Sequence, residues 1–256
     1  MRRNKLKLRG FNNLTKSLSF NIYDLCYAKG QEDRKEYLGY IDEAYNSARL
    51  ERILNGVADI IGARIINLST QDYDPMGASV VILIAEDSTS DEVRSSTCLA
   101  HLDKSHICAH TYPETDQRSG ISTFRVDIDV STCGEISPLR SLNYLINSFD
   151  SEVVLLDYRV RGFTRDVRGK KLFIDHDMHS IQQFIAEDIK KRYDKVDINI
   201  SQENLFHTKM ILKTFRLDNY LFGTTSEKLN RQERQKVKDS LRREMTEIYY
   251  AKNLFR

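Results

Sequence analysis

The strictest pattern in the sequence is the alternation of apolar and charged side chains from Phe124 to Val130. Apolar residues occupy every second position, and charged residues stand between them. Because successive side chains of a β-strand point to opposite faces, residues 121–130 are predicted to form a strand with one buried and one polar face. The apolar face of such a strand must be covered by another layer of structure.

Other segments supply further strands and the covering layer. Residues 78–85 are apolar and rich in β-branched side chains, which predicts a buried strand, and residues 152–160 predict another. Amphipathic spacing predicts helices at residues 33–54 and 180–193. Because strands and helices interleave without regular βαβ alternation, we predict an α+β fold, with helices on one face of a largely antiparallel sheet.

Two further helices are predicted from signals at their starts. Ser137 and Pro138 have the residue types of an N-cap and a first helical position. Asn230 and Glu233 have the spacing of a capping box, which predicts a final helix. The apolar stripe of that helix comprises Val237, Leu241, Met245 and Ile248.

Charge and cysteine content limit the class of protein. With 39 Lys+Arg against 37 Asp+Glu, the net charge of +2 gives no field that would attract nucleic acid or an anionic membrane. The longest apolar run, residues 78–85, is far below the ~20 residues of a membrane span, and the basic N-terminus lacks the apolar core of a secretory signal. Four cysteines without CxxC spacing are expected to be reduced thiols, which predicts a cytoplasmic protein.

Residues 101–114 carry most of the reactive side chains. They hold three of the six histidines and follow a polar stretch, residues 86–97, that is predicted to be an exposed loop. A regular strand over residues 105–112 would place every second side chain from His106 to Tyr112 on one face. Ser105 and His110 would then lie roughly 16 Å apart. If the two cooperate, the chain turns sharply near Ser105, or one of them acts across a subunit boundary.

Pattern alone leaves several interpretations of this segment open. The three histidines suggest a metal site, but their spacing fits no standard ligand set and no carboxylate completes one. His110 could instead pair with Cys108 or Cys133 as a nucleophile and its base. From the residues alone, the prediction is an α+β domain with a cluster of Ser, His and Cys side chains.

Two motifs resemble a known signature. Lys104-Ser-His-Ile-Cys-Ala-His-Thr-Tyr-Pro-Glu114, followed by Ser131-Thr-Cys-Gly134, is similar to the signature of the bacterial S-adenosylmethionine decarboxylases, which are pyruvoyl enzymes made as proenzymes. Residues 8–20, 157–166 and 203–213 resemble the longer gammaproteobacterial branch. Shorter members of the family lack the stretch before the signature and usually have Glu where this chain has Lys104.

The resemblance implies a single domain, residues 1–256, that cleaves itself. Ser105 Oγ would attack the carbonyl of Lys104 and convert the peptide bond to an ester. β-Elimination would then release residues 1–104 (the β chain) and leave residues 105–256 (the α chain) with a dehydroalanine at position 105 that hydrolyses to a pyruvoyl group. His110 matches the family position for proton transfer in this processing, and Ser79 matches the position that supports the oxyanion. A strand residue bonded to the backbone is the alternative interpretation of Ser79.

The resemblance also implies the reaction. The pyruvoyl carbonyl would form a Schiff base with S-adenosylmethionine, CO₂ would leave, and Cys133 would donate the proton, which suits a thiol whose ordinary pKa of about 8.5 keeps it protonated at neutral pH. The product is the aminopropyl donor for spermidine biosynthesis. Tyr73 and Tyr112 would stack on the adenine, and Glu114 would bind the ribose hydroxyls.

Assembly and activation are implied in the same way. Protomers of the family pair into a four-layer α/β/β/α sandwich, so a dimer or tetramer of αβ units is expected, with no nucleic acid or membrane partner. Mg²⁺ is implied as an activator, although no ligand motif locates it. The remaining cysteines (Cys26, Cys98 and Cys108) are predicted to be structural, and His101 and His106 to be exposed loop residues beside the cut.

The same residues argue against two other functions. A pyruvoyl decarboxylase of a smaller amino acid, such as arginine or ornithine, would not need the stacking pair or Glu114. A catalytically silent paralogue would not need Ser105, His110 and Cys133 together. The basic row formed by Arg159, Arg161 and Arg165 could meet a carboxylate, but a solvated strand face or a subunit contact is the expected role.

Overall fold

The computed structural model describes residues 13–86, 105–149 and 151–254. Within these residues nine strands form one sheet, and eight of them follow the order β2-β3-β4-β5-β1-β6-β10-β9. Neighbouring strands along this order are antiparallel, and β11 pairs in parallel with the end of β1. The strands are β1 Thr15–Ala28, β2 Ala63–Asp72, β3 Ala78–Glu86, β4 His106–Thr115, β5 Ile121–Cys133, β6 Val153–Arg161, β7 Thr164–Arg165, β8 Lys171–Leu172, β9 Tyr193–Asp197, β10 Leu205–Leu212 and β11 Leu221–Phe222.

Four helices pack on one face of this sheet. These four are α1 Gln31–Ala44, α2 Ser47–Ile61, α3 Leu142–Ser148 and α4 Glu187–Arg192. The fifth helix of the described residues is α5 Arg231–Tyr250. In β1 the residues Leu18, Phe20 and Ile22 are fully buried beneath α1 to α4, while the residues between them belong to the opposite face. The main core therefore lies between these four helices and one face of the sheet, because burial of that apolar face drives the packing.

The fifth helix packs on the opposite face. Residues Val237, Leu241 and Met245 of α5 form a second apolar cluster with Leu25 and Ile121, which lie at the end of β1 and the start of β5. This helix covers one end of the face that α1 to α4 leave open, which we call the open face. In the described residues no helix packs over its other end, where Cys133 ends β5.

The fold class and the strands agree with the sequence. Helices packed on a largely antiparallel sheet are confirmed, and residues 78–85, 121–130 and 152–160 are the cores of β3, β5 and β6. The predicted capping box of α5 is present, with Asn230 accepting from the Glu233 backbone N–H. The predicted loop at residues 86–97 lies outside the described residues, except that Glu86 ends β3.

Three helix predictions were wrong in part. Residues 33–54 do not form one helix: α1 ends before Tyr45, because extended Asn46 caps α2 by accepting from the Arg49 N–H at 3.0 Å. The chain over residues 180–193 forms a short 3₁₀ turn, then α4, and Tyr193 begins β9 by pairing with Leu212.

The segment after Ser137 also differs. It forms a 3₁₀ turn at Pro138–Ser141 that leads into α3, and Ser137 makes no side-chain cap.

None of the helices in the described part of the chain is both long enough and apolar enough to cross a membrane.

Candidate active site

The strand considered for residues 105–112 is present as β4, which begins at His106 and runs to Thr115. In β4 the side chains of Ile107, Ala109 and Thr111 are buried against the helices, and those that alternate with them lie on the open face. His106, Cys108, His110 and Tyr112 therefore share that face, as predicted.

Ser105 and Cys133 are brought into contact. The chain bends at Ser105, and its Oγ lies 3.2 Å from Cys133 Sγ, although 28 positions separate them. Ser105 is only 8% exposed. Because the hydroxyl is nearly excluded from water and touches a thiol, this pair, which we call the cleavage cluster, is a candidate for covalent chemistry. Lys104, the predicted other side of the cut, lies outside the described residues, as do Cys98 and His101.

The end of β5 is fixed by bonds on both sides of Cys133. Thr132 is fully buried and donates to the carbonyl of Ile136 at 3.1 Å. Gly134 takes a positive φ of 72°, and its N–H donates to the carbonyl of Leu14 at 3.2 Å. A positive φ favours glycine, so the turn after Cys133 depends on Gly134.

Ser79 and His110 are also brought together. They are directly opposite each other in the β3–β4 ladder, and Asp127 of β5 faces His110 from the other side. Ser79 is 8% exposed, which suits a hydroxyl that acts out of contact with bulk water.

Both predicted stacking residues lie at the His110 end of β4. The ring centroid of Tyr112 is 6.4 Å from that of His110, with 26° between the planes. Tyr73 belongs to the loop between β2 and β3, which approaches β4 so closely that a Cβ on Gly77 would lie 2.9 Å from the carbonyl oxygen of Thr111. Both tyrosines are about 40% exposed, and Glu114 is exposed nearby. We call Tyr73, Ser79, His110, Tyr112 and Glu114 the aromatic cluster.

The two clusters are separated by the length of β4. Ser105 remains in register with β3, since its carbonyl accepts from the Ile84 N–H at 3.3 Å. From Ser105 to His110 the strand advances five residues, roughly 16 Å. The bend at Ser105 therefore brings it to Cys133 but not to His110, so one chain holds the predicted site in two parts.

Sequence reasoning missed the environment of Tyr112. The guanidinium of Arg125 lies 4.3 Å from the Tyr112 ring centroid and forms an ion pair of 2.6 Å with Asp127. One face of the ring is therefore occupied by a cation that is itself held in place. Arg125 is a polar position in the alternation from Phe124 to Val130, and that pattern could have pointed to it.

The prediction for His106 was wrong. It is a half-buried strand residue, and its Nδ1 is buried without a hydrogen-bond partner among the described residues. It is part of β4 because it pairs with Ser131 across the β4–β5 ladder.

The other two thiols in the described residues, Cys26 and Cys108, are poor nucleophiles. Burial raises the pKa of Cys26 to about 12, helped by Asp24 and Glu152. Burial also raises the pKa of Cys108, as does the neighbouring Asp129. Since Cys133 lies against Ser105 at the opposite end from His110, the structure supports neither of the Cys–His pairs left open by the sequence.

No metal site is found in the part of the chain that the structure describes, where no three His, Cys, Asp or Glu side chains are grouped to hold an ion. The predicted Mg²⁺ therefore stays a prediction without a location.

Comparison with known proteins identifies the family. The family described as S-adenosylmethionine decarboxylase matches residues 41–162. The S-adenosylmethionine decarboxylase proenzyme of Hahella chejuensis is 60% identical over 98% of this chain and 98% of its own length. The chain belongs to the S-adenosylmethionine decarboxylase family. A proenzyme of the same name from Pseudomonas aeruginosa is 58% identical over 98% of this chain and 99% of its own length.

Two solved structures from the S-adenosylmethionine decarboxylase family show a more distant similarity. The adenosylmethionine decarboxylase of Aquifex aeolicus is 16% identical, with a TM-score of 0.35 over 66% of this chain and 99% of that one. The Trypanosoma brucei AdoMetDC monomer is 14% identical, with a TM-score of 0.36 over 78% of this chain and 66% of that one. The resemblance noted in residues 104–114 is confirmed at the level of the family by the full-length relatives.

Proposed function

We propose that the protein is an S-adenosylmethionine decarboxylase that matures by cutting itself between Lys104 and Ser105. The observation that carries the proposal is the 3.2 Å contact between Ser105 Oγ and Cys133 Sγ. Family membership supplies the substrate, because full-length relatives are named for it. The contact joins the predicted nucleophile of processing to the predicted proton donor of turnover.

Processing requires a nucleophile beside its own preceding carbonyl. In the proposal, the hydroxyl of Ser105 attacks the carbonyl carbon of Lys104, so that the amide becomes an ester. β-Elimination then separates the two chains and leaves a dehydroalanine at position 105, which water converts to the pyruvoyl group with release of ammonia. At 8% exposure Ser105 is shielded from water that would compete as a nucleophile. The oxyanion formed on the Lys104 carbonyl needs a hydrogen-bond donor, and the proposed one is Ser79 of a second protomer, because Ser79 of the same chain lies opposite His110 at the far end of β4.

Residue 105 has surroundings that suit a pyruvoyl group. Such a group supplies a carbonyl that joins the substrate amine and takes up the electron pair left by departing CO₂. The thiol of Cys133 already touches residue 105, so it is placed to hold the proton that replaces CO₂. A side chain held against the reacting atom can deliver a proton to one carbon and not to another.

The separation of the two clusters supports a site shared between protomers. From Ser105 to Tyr112 the strand advances seven residues, or roughly 23 Å. S-adenosylmethionine measures on the order of 15 Å from its amino acid to its adenine. One molecule cannot reach both clusters of one chain, so we propose that the aromatic cluster of one protomer faces the cleavage cluster of another. The predicted four-layer pairing of sheets would use the open face.

Three further features belong to the proposal. The product, S-adenosylmethioninamine, would be the aminopropyl donor for spermidine. Mg²⁺ would act as an activator, and the protein would work in the cytoplasm. These remain predictions from the resemblance and the composition.

The test is the intact mass of the purified protein. We expect two chains, corresponding to residues 1–104 and 105–256, with the larger one reactive toward phenylhydrazine at its N-terminus. The Ser105→Ala variant should stay a single chain of 29.8 kDa without decarboxylase activity, because its nucleophile is gone. An uncut but active wild-type protein, or a cut Ser105→Ala variant, contradicts the proposal.

A further inference from the structure

Arg161 lies in the same row of the open face as Cys133. In the sheet, Thr15 of β1 pairs with Cys133 of β5 on one side and with Arg161 of β6 on the other. Paired residues of neighbouring strands point to the same face, and the strands are about 4.8 Å apart. The Cα of Arg161 is therefore roughly 10 Å from that of Cys133, on the same surface.

The guanidinium of Arg161 turns back over β1. Its Nη2 donates to Ser17 Oγ at 3.3 Å, and Ser17 lies on the strand that separates β6 from β5. The cation thus points from β6 toward the strand that carries Cys133, rather than away from the cleavage cluster.

The charge of Arg161 is not neutralised within the described part of the chain. No carboxylate there lies within 4.0 Å of its guanidinium. Two acids of the same face are already bonded elsewhere, Asp157 to His207 Nδ1 at 2.6 Å and Asp129 to Ser19 Oγ. An exposed guanidinium without an acidic partner, beside a reactive cluster, is suited to bind an anion.

The chemistry of the substrate supplies that anion, and this step rests on the proposed function. The carboxylate carbon of an α-amino acid is two bonds from its nitrogen. A nitrogen that reacts at residue 105 therefore brings the carboxylate within roughly 4 Å of that residue. An extended arginine side chain carries its guanidinium roughly 7 Å from its Cα. Added together, the reach of the substrate carboxylate from residue 105 and the reach of the Arg161 side chain cover the distance between the Cα atoms of Arg161 and Cys133. We infer that Arg161 binds the carboxylate of the amino-acid substrate and so selects for it.

This role has a kinetic signature. The ion pair forms with the bound carboxylate and weakens as CO₂, which is neutral, leaves. It therefore contributes to substrate binding and not to the stability of the transition state relative to the bound substrate. Loss of Arg161 should raise KM strongly and leave kcat unchanged or somewhat higher.

The test compares a ligand with the carboxylate and one without it. The ligands are S-adenosylmethionine and its methyl ester. Affinity is measured by calorimetry on cleaved protein whose carbonyl has been reduced with borohydride, and by competitive inhibition on untreated protein. In Arg161→Gln we expect about a 10- to 100-fold loss of affinity for the acid and less than about a threefold change for the ester. Arg161→Lys should recover part of the loss.

Arg165→Gln is the matched control. It removes the same charge from the β7–β8 hairpin, where Arg165 donates to the carbonyl of Gly169, and it should leave both affinities unchanged. Equal losses for acid and ester in Arg161→Gln, or no loss for either, overturn the inference. Failure of Arg161→Gln to cleave, with Arg161→Lys cleaved, would place the residue in folding or processing and also overturn it. A wild-type protein that is uncut or inactive would contradict the proposed function before any variant is compared.

Discussion

At the scale of single residues, the proposed chemistry depends most on Cys133. Its thiol touches Ser105, and its position is set by Thr132, which is buried beneath it, and by the turn at Gly134. The other two described thiols, Cys26 and Cys108, lack this contact, and burial makes both of them harder to ionise. The role of a cysteine in this chain is thus decided by which atom it faces.

Replacement of Cys133 by alanine should separate maturation from turnover. We expect Cys133→Ala to be cut into two chains but to decarboxylate about 10²- to 10⁴-fold more slowly, because a placed proton donor contributes a factor of this size. Intact mass and release of labelled CO₂ measure the two steps. Cys108→Ala is the control, since Cys108 is a half-buried thiol of the same face, and it should keep nearly full activity. Normal turnover in Cys133→Ala, or an equal loss in Cys108→Ala, would contradict this role.

At the scale of elements, β1 connects the two layers of the molecule. One of its faces carries Ser17 and Ser19 on the open face, and the other carries a buried lysine, Lys16. The ammonium of Lys16 lies 2.6 Å from Asp175 Oδ2, and His176 Nδ1 lies 2.7 Å from the other oxygen of that carboxylate. This pair attaches the segment before α4 to the strand beside Cys133.

The buried pair predicts a pH-dependent contribution to stability. Burial by itself raises the pKa of Asp175, but the hydrogen bond from His176 and the charge of Lys16 outweigh it, so the pKa lies below its ordinary value. A carboxylate with a lowered folded pKa stabilises the fold above its unfolded pKa, about 3.9, and this contribution is lost as pH falls through the folded value.

Asp175→Asn should therefore cost about 3 to 5 kcal/mol of unfolding free energy at pH 7, because it leaves Lys16 buried without its partner. Urea unfolding at a series of pH values measures it, and the difference from wild type should shrink below about pH 4. Asp177→Asn, at a side chain that is 89% exposed, is the control and should be nearly neutral. A cost below about 1 kcal/mol, or one that does not shrink in acid, would contradict the assignment.

At the scale of the whole molecule, one chain carries two half-sites. The cleavage cluster and the aromatic cluster lie at opposite ends of β4 on the open face. Among the described helices α5 alone packs on this face, against Leu25, Ile121 and Lys209, and it leaves the Cys133 end uncovered. A regular strand cannot shorten that distance. Two protomers that exchange half-sites would give each Ser105 a His110 from the partner.

Shared sites predict complementation between two inactive variants. Ser105→Ala lacks the nucleophile and His110→Ala lacks the proposed proton-transfer group, so neither should cleave alone. When they are co-expressed with tags of different length, the His110→Ala chain should be cut, because the Ser105→Ala chain supplies an intact His110. Intact mass identifies which chain is cut. Cleavage of His110→Ala on its own, or no cleavage in the mixture, would contradict sharing.

Much of the fold could be predicted because apolar periodicity reports one element at a time. The alternation from Phe124 to Val130 predicts β5, and the strand interpretation of residues 105–112 correctly placed alternate side chains of β4 on one face. The predicted helix at residues 33–54 was wrong because its apolar spacing runs through Tyr45. The centroid of the Tyr45 ring lies 4.7 Å from that of Phe124 and 5.7 Å from that of Phe149. Both contacts join residues far apart in the chain, so local apolar spacing does not report them.

The sequence by itself determined the family and predicted the reactive side chains, because a short motif of specific residues can be recognised without knowledge of the fold. Only the tertiary structure decided which of those side chains meet. Contact between Ser105 and Cys133, the row that joins Cys133 to Arg161, and the distance between Ser105 and His110 all depend on the pairing of strands that are far apart in the chain. That pairing is set by how distant segments bury their apolar faces together, and no local pattern contains it.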